Sequence, residues 1–259
     1  MKMRTSDEEM LKSLKSEFSS PKVFDYKVGD KNMHYIQSGN KNAPLLLFVH
    51  GAPGSLDAFK QYMENDTLNM NTLMISVDRS GYGKSDFGVS EPSIEKQAEL
   101  IQPILEKHKD KKIILVGHSY GGPIICRILI DYPNYNYGTA YLLAPAISPE
   151  LEKMFWINKP ADSPIFKWMI PKAFKVANDE KMVHAKELEL MDTLWQNIKT
   201  PIKVYQGKKD RIVDPKNAEF AKEKMINTEV EVVYLEEEDH FIPWTKFDLI
   251  KNELLKSLH

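Results

Sequence analysis

Ser119, Asp210 and His240 are the residues whose types and positions point to chemistry. A serine hydroxyl is a weak nucleophile at neutral pH. It needs a base to take its proton, and the base needs a carboxylate to orient it. Ser119 lies in Gly117-His118-Ser119-Tyr120-Gly121, between the apolar run 113–116 and a helix-like segment after Gly122. That reads as a strand, a very tight turn and a helix, with glycines two residues either side of the serine, where a Cβ would clash. The hydroxyl would stand at the carboxyl end of the strand, over the amino end of the helix, where the dipole favours developing negative charge. The plain alternative is an ordinary strand-to-helix connection in which Ser119 caps the helix.

Seven histidines are available, and position narrows them. His34 lies in an early hairpin, His108 near a helix end, His184 in or near an insertion, and His259 at the terminus. His50 and His118 are pinned in tight turns. His240 follows the last strand, on a loop free to fold toward Ser119. The orienting acid is expected from the end of an intervening strand. Asp210 fits, whereas Asp214 precedes Pro215 and is expected to cap the next helix. An oxyanion needs donors: the backbone N–H of Tyr120 supplies one, and that of Ala52, in the loop His50-Gly51-Ala52-Pro53-Gly54, the other.

These residues need a scaffold. The 259-residue chain, with net charge −2 and one cysteine, has room for one large domain and no global basic field for nucleic acid. Segments 22–28 and 32–38 alternate at period two and read as a hairpin. Runs 45–49, 73–77, 113–116, 139–143, 202–206 and 230–234 read as buried strands, alternating with helices. The fold class is therefore α/β: a mostly parallel doubly wound sheet with an inserted helical cap. We expect an N-terminal amphipathic helix in 1–20, with Ser6 and Glu9 as a capping box and Met10, Leu14 and Phe18 on one face. The core is expected in 21–146 and 195–259, and the cap in 147–194. Phe155, Trp156 and Trp168 of the cap, with Phe241, are expected to line a substrate pocket. One closing helix is expected from Pro243 through Leu254.

The chain resembles α/β-hydrolase-fold serine hydrolases, of the esterase and lipase kind, from about residue 23 to 255. The residues that carry the resemblance are HGAPGS at 50–55, DRSGYGKSD at 78–86, GHSYGG at 117–122, GKKDRIVDP at 207–215 and DHF at 239–241. In relatives with epoxide hydrolase or haloalkane dehalogenase activity the elbow nucleophile is an aspartate, where this chain has Ser119. The HGAPGS loop is similar to the HGGPG of proline iminopeptidases, with Ala52 in place of a glycine. Relatives commonly have glycine before the histidine, where this chain has Asp239 after Glu236, Glu237 and Glu238. If these acids stayed beside His240 they would hold its proton to higher pH; we expect them to be solvated and turned away.

The resulting expectation is a serine hydrolase that cleaves carboxylic esters of small to medium apolar substrates through an acyl-enzyme on Ser119. C–C bond hydrolysis, aminopeptidase action or acyl transfer with the same triad, and a low-turnover ligand receptor, are the alternatives. An aminopeptidase would use cap acids such as Glu150, Glu152, Asp162, Glu187 or Glu189 to hold a substrate ammonium. No motif supports a metal or another cofactor, and the oligomeric state is open. No run is long enough to span a bilayer, and the N-terminal stretch lacks the apolar core of a secretory signal, so a cytoplasmic protein is expected.

Overall fold

The continuous apolar runs become the interior strands of one eight-stranded sheet in the structure, a computed structural model that describes residues 4–153 and 170–258. The strands are β1 (Lys22–Val28), β2 (Lys31–Gly39), β3 (Leu45–Val49), β4 (Leu73–Asp78), β5 (Ile113–His118), β6 (Ala140–Leu143), β7 (Ile202–Gly207) and β8 (Val230–Leu235). Their order is β1-β2-β4-β3-β5-β6-β7-β8. β1 and β2 form the antiparallel hairpin, β2 runs antiparallel to β4, and every later pairing is parallel.

Strand β3 lies between β4 and β5, so the strand order reverses beside it. Ligands of doubly wound sheets bind at such a switch point, outside the carboxyl ends of the strands. In the β3–β5 ladder Val49 is opposite Gly117. The register thus brings the loop that begins at His50 level with the turn that holds Ser119.

Strand alternation sorts the core into two layers. Leu45, Leu47, Val49 and Leu115 face the helices Ile94–Lys107 and Gly121–Asp131. Leu46, Phe48, Ile114 and Val116 face the other side, where Met10 and Leu14 join Phe59, Tyr62 and the helix Phe247–Lys256. The longest helix in the described residues, Lys172–Glu189, lies between β6 and β7 in chain order. No helix among the described residues is long and apolar enough to cross a membrane.

Two local expectations change. The N-terminal helix spans Asp7–Leu14 with its Ser6–Glu9 capping box, but it stops before Phe18, which is 41% exposed in a turn closed by Ser16 and Ser19. The closing helix is split into Ile242–Thr245 and Phe247–Lys256, because Lys246 leaves helical geometry at φ −116°, ψ 34°.

Met10 and Leu14 are fully enclosed, which makes the first helix part of the body. Leu14→Ala should cost about 2 to 5 kcal/mol, read as a lower urea midpoint at unchanged slope. A loss below about 0.5 kcal/mol, the scale of a surface change, would mark the helix as a detachable arm.

Candidate active site

The elbow is built as its glycines demand. Ser119 has φ +53°, a left-handed conformation that a non-glycine residue adopts only when its surroundings enforce it. A Cβ on Gly121 would lie 2.2 Å from the Val49 carbonyl oxygen, and one on Gly117 2.6 Å from that of Gly121. The helix therefore sits directly against β3 as well as β5. Ser119 N–H donates to Leu143 O (3.0 Å), and its carbonyl accepts from Gly122 N (2.9 Å). The cap position of the helix is Tyr120, with no side-chain cap bond, so Ser119 is not the cap.

The HGAPG loop closes on this turn. A Cβ on Gly51 would lie 2.9 Å from Ser119 Cβ, so the loop backbone passes next to the serine. Neither Ala52 N–H nor Tyr120 N–H has a hydrogen-bond partner among the described residues. Both residues and Ser119 line one cavity of about 600 Å³.

His240 and Asp210 meet beside it. Lys208 N–H donates to Leu235 O (3.0 Å) and Lys209 N–H to Glu238 O (2.9 Å), which binds the turn after β8 to the end of β7. His240 Nδ1 then donates to Asp210 Oδ2 at 2.8 Å, with both side chains buried. Asp210 Oδ1 accepts from Ile212 N and Val213 N, each at 2.9 Å, and Gln206 Nε2 approaches Oδ2 at 3.3 Å. Burial pushes the Asp210 carboxyl up, but the His240 bond and charge and the two amides outweigh it and hold it below the usual range. Asp214, the rival acid, accepts from Lys216 N (3.1 Å) at the start of the helix Asn217–Lys224 and pairs with Lys153 (3.2 Å).

His118 packs against His240. Its Nε2 donates to the His240 carbonyl oxygen (3.0 Å), and the two rings lie 4.8 Å apart. Burial, with the charge of His240 second, pushes its own pKa down to about 3, so it stays neutral. The hydroxyl of Ser119 and Nε2 of His240 have no hydrogen-bond partner among the described residues, so the bond between them is not formed in this conformation.

The cavity wall is mostly apolar, with Pro53, Ile170, Phe174, Ile212 and Val213 on it. Of the expected pocket residues, Phe155, Trp156 and Trp168 lie outside the described residues. Phe241 is 48% exposed, 6.0 Å from the His240 ring, and does not line the cavity. Glu152, named above among the cap acids, lies on the wall in a polar patch whose pairing had no signature in sequence. His184 stacks on Tyr120 at 4.5 Å and approaches Glu152 (3.1 Å), which also pairs with Lys181. Burial alone would raise the Glu152 carboxyl, but the His184 bond and charge and then Lys181 bring it to about 2.

The acidic run is engaged elsewhere. Glu236 pairs with Lys208 (2.7 Å), Glu237 with Lys209 and Glu238 with Lys246 (2.9 Å), while Asp239 accepts from Phe241 N (2.9 Å).

Residues 44–164 match a family model described as the alpha/beta hydrolase fold, and the sheet and elbow above show that the chain has the α/β-hydrolase fold. An esterase from Exiguobacterium antarcticum superposes with TM-score 0.70 at 20% identity, covering 90% of this chain and 98% of that one. Alpha/beta hydrolase domain-containing protein 10 from mouse gives TM-score 0.68 at 20% identity, covering 92% and 100%. In sequence, epoxide hydrolase 4 of Mus musculus is 28% identical over 102 residues, which are 39% of this chain and 28% of that protein. The chain spans about a quarter to two fifths of the length of the curated relatives it matches.

The polar patch carries a stability prediction. A carboxyl held below its ordinary 4.5 contributes stability that is complete above that value and is lost as pH falls toward about 2. Glu152→Gln should therefore be less stable than wild type near neutrality and lose less on acidification between about pH 5 and 2. Urea midpoints measured across that range check this; curves that fall in parallel would show that the pair carries no such linkage.

Proposed function

We propose that the chain is a serine hydrolase that cleaves carboxylic esters of small to medium apolar substrates through an acyl-enzyme on Ser119. The observation that carries the reading is a serine, held at φ +53° in the elbow, sharing one cavity wall with two amides that have no partner among the described residues. The buried His240–Asp210 pair supports it from the other side.

In the proposed reaction Ser119 Oγ attacks the ester carbonyl while His240 Nε2 takes its proton. Asp210 holds Nδ1 protonated, which keeps Nε2 available as the base. The Ala52 and Tyr120 amides bind the oxyanion, and His240 returns the proton to the departing alcohol. Water then attacks the acyl-enzyme with His240 as base, which releases the acid and restores Ser119.

The curated relatives named epoxide hydrolases invite a different reading. A carboxylate that opens an epoxide forms an ester, which water can cleave. A serine alkoxide would form an ether, which this site has no means to cleave, so Ser119 does not support turnover of epoxides. Aminopeptidase action is also less well supported. Glu152 on the cavity wall is already paired with His184 and Lys181, and Glu187 accepts from Ile94 N (3.0 Å).

Wild type should hydrolyse p-nitrophenyl esters and label with a fluorophosphonate at Ser119. Ser119→Ala should lose labelling and at least about 10⁴-fold in kcat. Labelling of the alanine variant at the same place, or retained turnover, would sink the mechanism. Because the four acids before His240 are engaged elsewhere, neutralising Glu236, Glu237, Glu238 and Asp239 together should leave the acid limb of the pH–rate profile in place. A displaced limb would show that they act on the base.

A further inference from the structure

Arg79 is fully buried, and every N–H of its guanidinium has a partner. Nε donates to His50 O (2.9 Å) and Nη2 to Gly51 O (3.2 Å). Nη1 donates to Gln97 Oε1 (2.6 Å) and to Glu180 Oε1 (2.6 Å), and Nη2 reaches Glu180 Oε2 (3.1 Å). The five donors of the fork are thereby spent. The rings of Tyr82 and Tyr120 each lie 4.7 Å from its central carbon, which fixes the guanidinium further.

The carbonyl that Arg79 holds belongs to the same peptide unit as the candidate oxyanion donor. A trans peptide is planar, and its N–H points opposite to its C=O. Gly51 O also accepts from His50 Nδ1 (2.7 Å), and His50 Nε2 accepts from Arg79 N (3.0 Å). With the carbonyl of the Gly51–Ala52 unit gripped from two sides, the Ala52 N–H is aimed away from both, toward the cavity that Ala52 shares with Ser119.

The charge that makes this possible comes from the helix Lys172–Glu189. Glu180 is fully buried and accepts four hydrogen bonds from three residues: Arg79 through Nη1 and Nη2, Gln97 Nε2 (3.0 Å) and Tyr82 Oη (2.7 Å). Without that carboxylate a buried guanidinium has no counter-charge and must turn toward another acceptor or water. Turning it releases Gly51 O.

We infer that Arg79 is a positioning residue that aims the Ala52 amide at the oxyanion, and that Glu180 acts through Arg79, so that the helix between β6 and β7 helps to assemble the oxyanion site from a distance. This rests on the ester-hydrolase reading. Neither residue touches the reacting atoms, and their effect should fall on the barrier and not on substrate affinity.

The test is steady-state kinetics on p-nitrophenyl esters with Arg79→Lys, which keeps the charge but loses the fork, and Glu180→Gln, which keeps the shape but loses the charge. Deleting an oxyanion donor costs about 10²- to 10³-fold in kcat, so misaiming one should cost about 10- to 100-fold with KM within about twofold. If Glu180 acts through Arg79, the Arg79→Lys/Glu180→Gln protein should be no slower than Arg79→Lys alone. Effects that multiply, or folded variants with wild-type kcat and only a lowered melting temperature, would overturn the inference. If Arg79→Lys does not fold, Glu180→Gln carries the test: kcat lowered at constant KM supports it, and unchanged kcat overturns it. A wild type that neither turns over esters nor labels at Ser119 overturns the ester-hydrolase reading and this inference with it. A wild type that does both, with variants that match it, overturns this inference alone.

Discussion

The pairing of β3 with β5 is the constraint on which the rest of the site depends. These two strands are parallel neighbours with Val49 opposite Gly117, so their carboxyl ends finish at one level. Whatever follows one strand must then lie beside whatever follows the other. The chain uses that adjacency for the two pieces that must touch, the His50–Gly54 loop and the Ser119 turn. The missing side chains at Gly51 and Gly121 remove the last steric obstacles. The strained conformation of Ser119 is tolerated because strand and helix on either side of it are buried and leave one path for the backbone.

Electrostatics under the site follow a second rule, that no charge is left alone in the low dielectric. His50 and His118 are pushed down by burial and kept neutral, each spending a ring N–H on a backbone carbonyl. Asp78, which burial pushes up, accepts from Leu56 N (2.8 Å) and Lys84 N (2.9 Å) and so ties the loops after β3 and β4 together. Burial pushes the Arg79 pKa down, but the net direction is upward, with the Glu180 carboxylate the largest of the opposing causes. A buried pair of this kind is a poor source of stability compared with an apolar pair of the same volume, but breaking it leaves an uncompensated charge. Here the pair holds the guanidinium against the His50 and Gly51 carbonyls.

Much of this was legible in the sequence, and the reasons are physical. Interior parallel strands are continuous apolar runs, so β3 spans the expected 45–49 and β8 differs from expectation by one residue. Asp210 and His240 were legible because each follows such a run on a loop of polar residues. The partners Glu180, Glu152 and His184 were not. Glu180 is 101 residues from Arg79, and a buried acid on a helix leaves the same trace as a solvated one. The spacing of Phe18 continues that of Met10 and Leu14 and so reads as the same helical face, although the helix ends at Leu14. The break at Lys246 is invisible to a pattern in which Phe247, Ile250 and Leu254 keep helical spacing on either reading.

The extent of the family match bears on which residues it can speak for. Residues 44–164 run from the start of β3 past the elbow and β6. They contain Ala52, Ser119 and Tyr120, but neither Asp210, His240 nor the helix that carries Glu180. Those three residues are tied in by geometry: one hydrogen bond of 2.8 Å at the ends of β7 and β8, and a carboxylate bound to Nη1 and Nη2 of the guanidinium. The two halves of the site are thus held by different means. Inside the match the candidate oxyanion donors are backbone amides, placed by the close approach that Gly51 and Gly121 allow and by side chains near in sequence, His50 and Arg79, on Gly51 O. The half outside it depends on side chains brought from distant segments, and there a single substitution removes the interaction outright. Apart from Ser119 and Arg79, whose side chains also lie inside the match, the sensitivity of the site to mutation should therefore lie mainly outside it, although its geometry is defined within it.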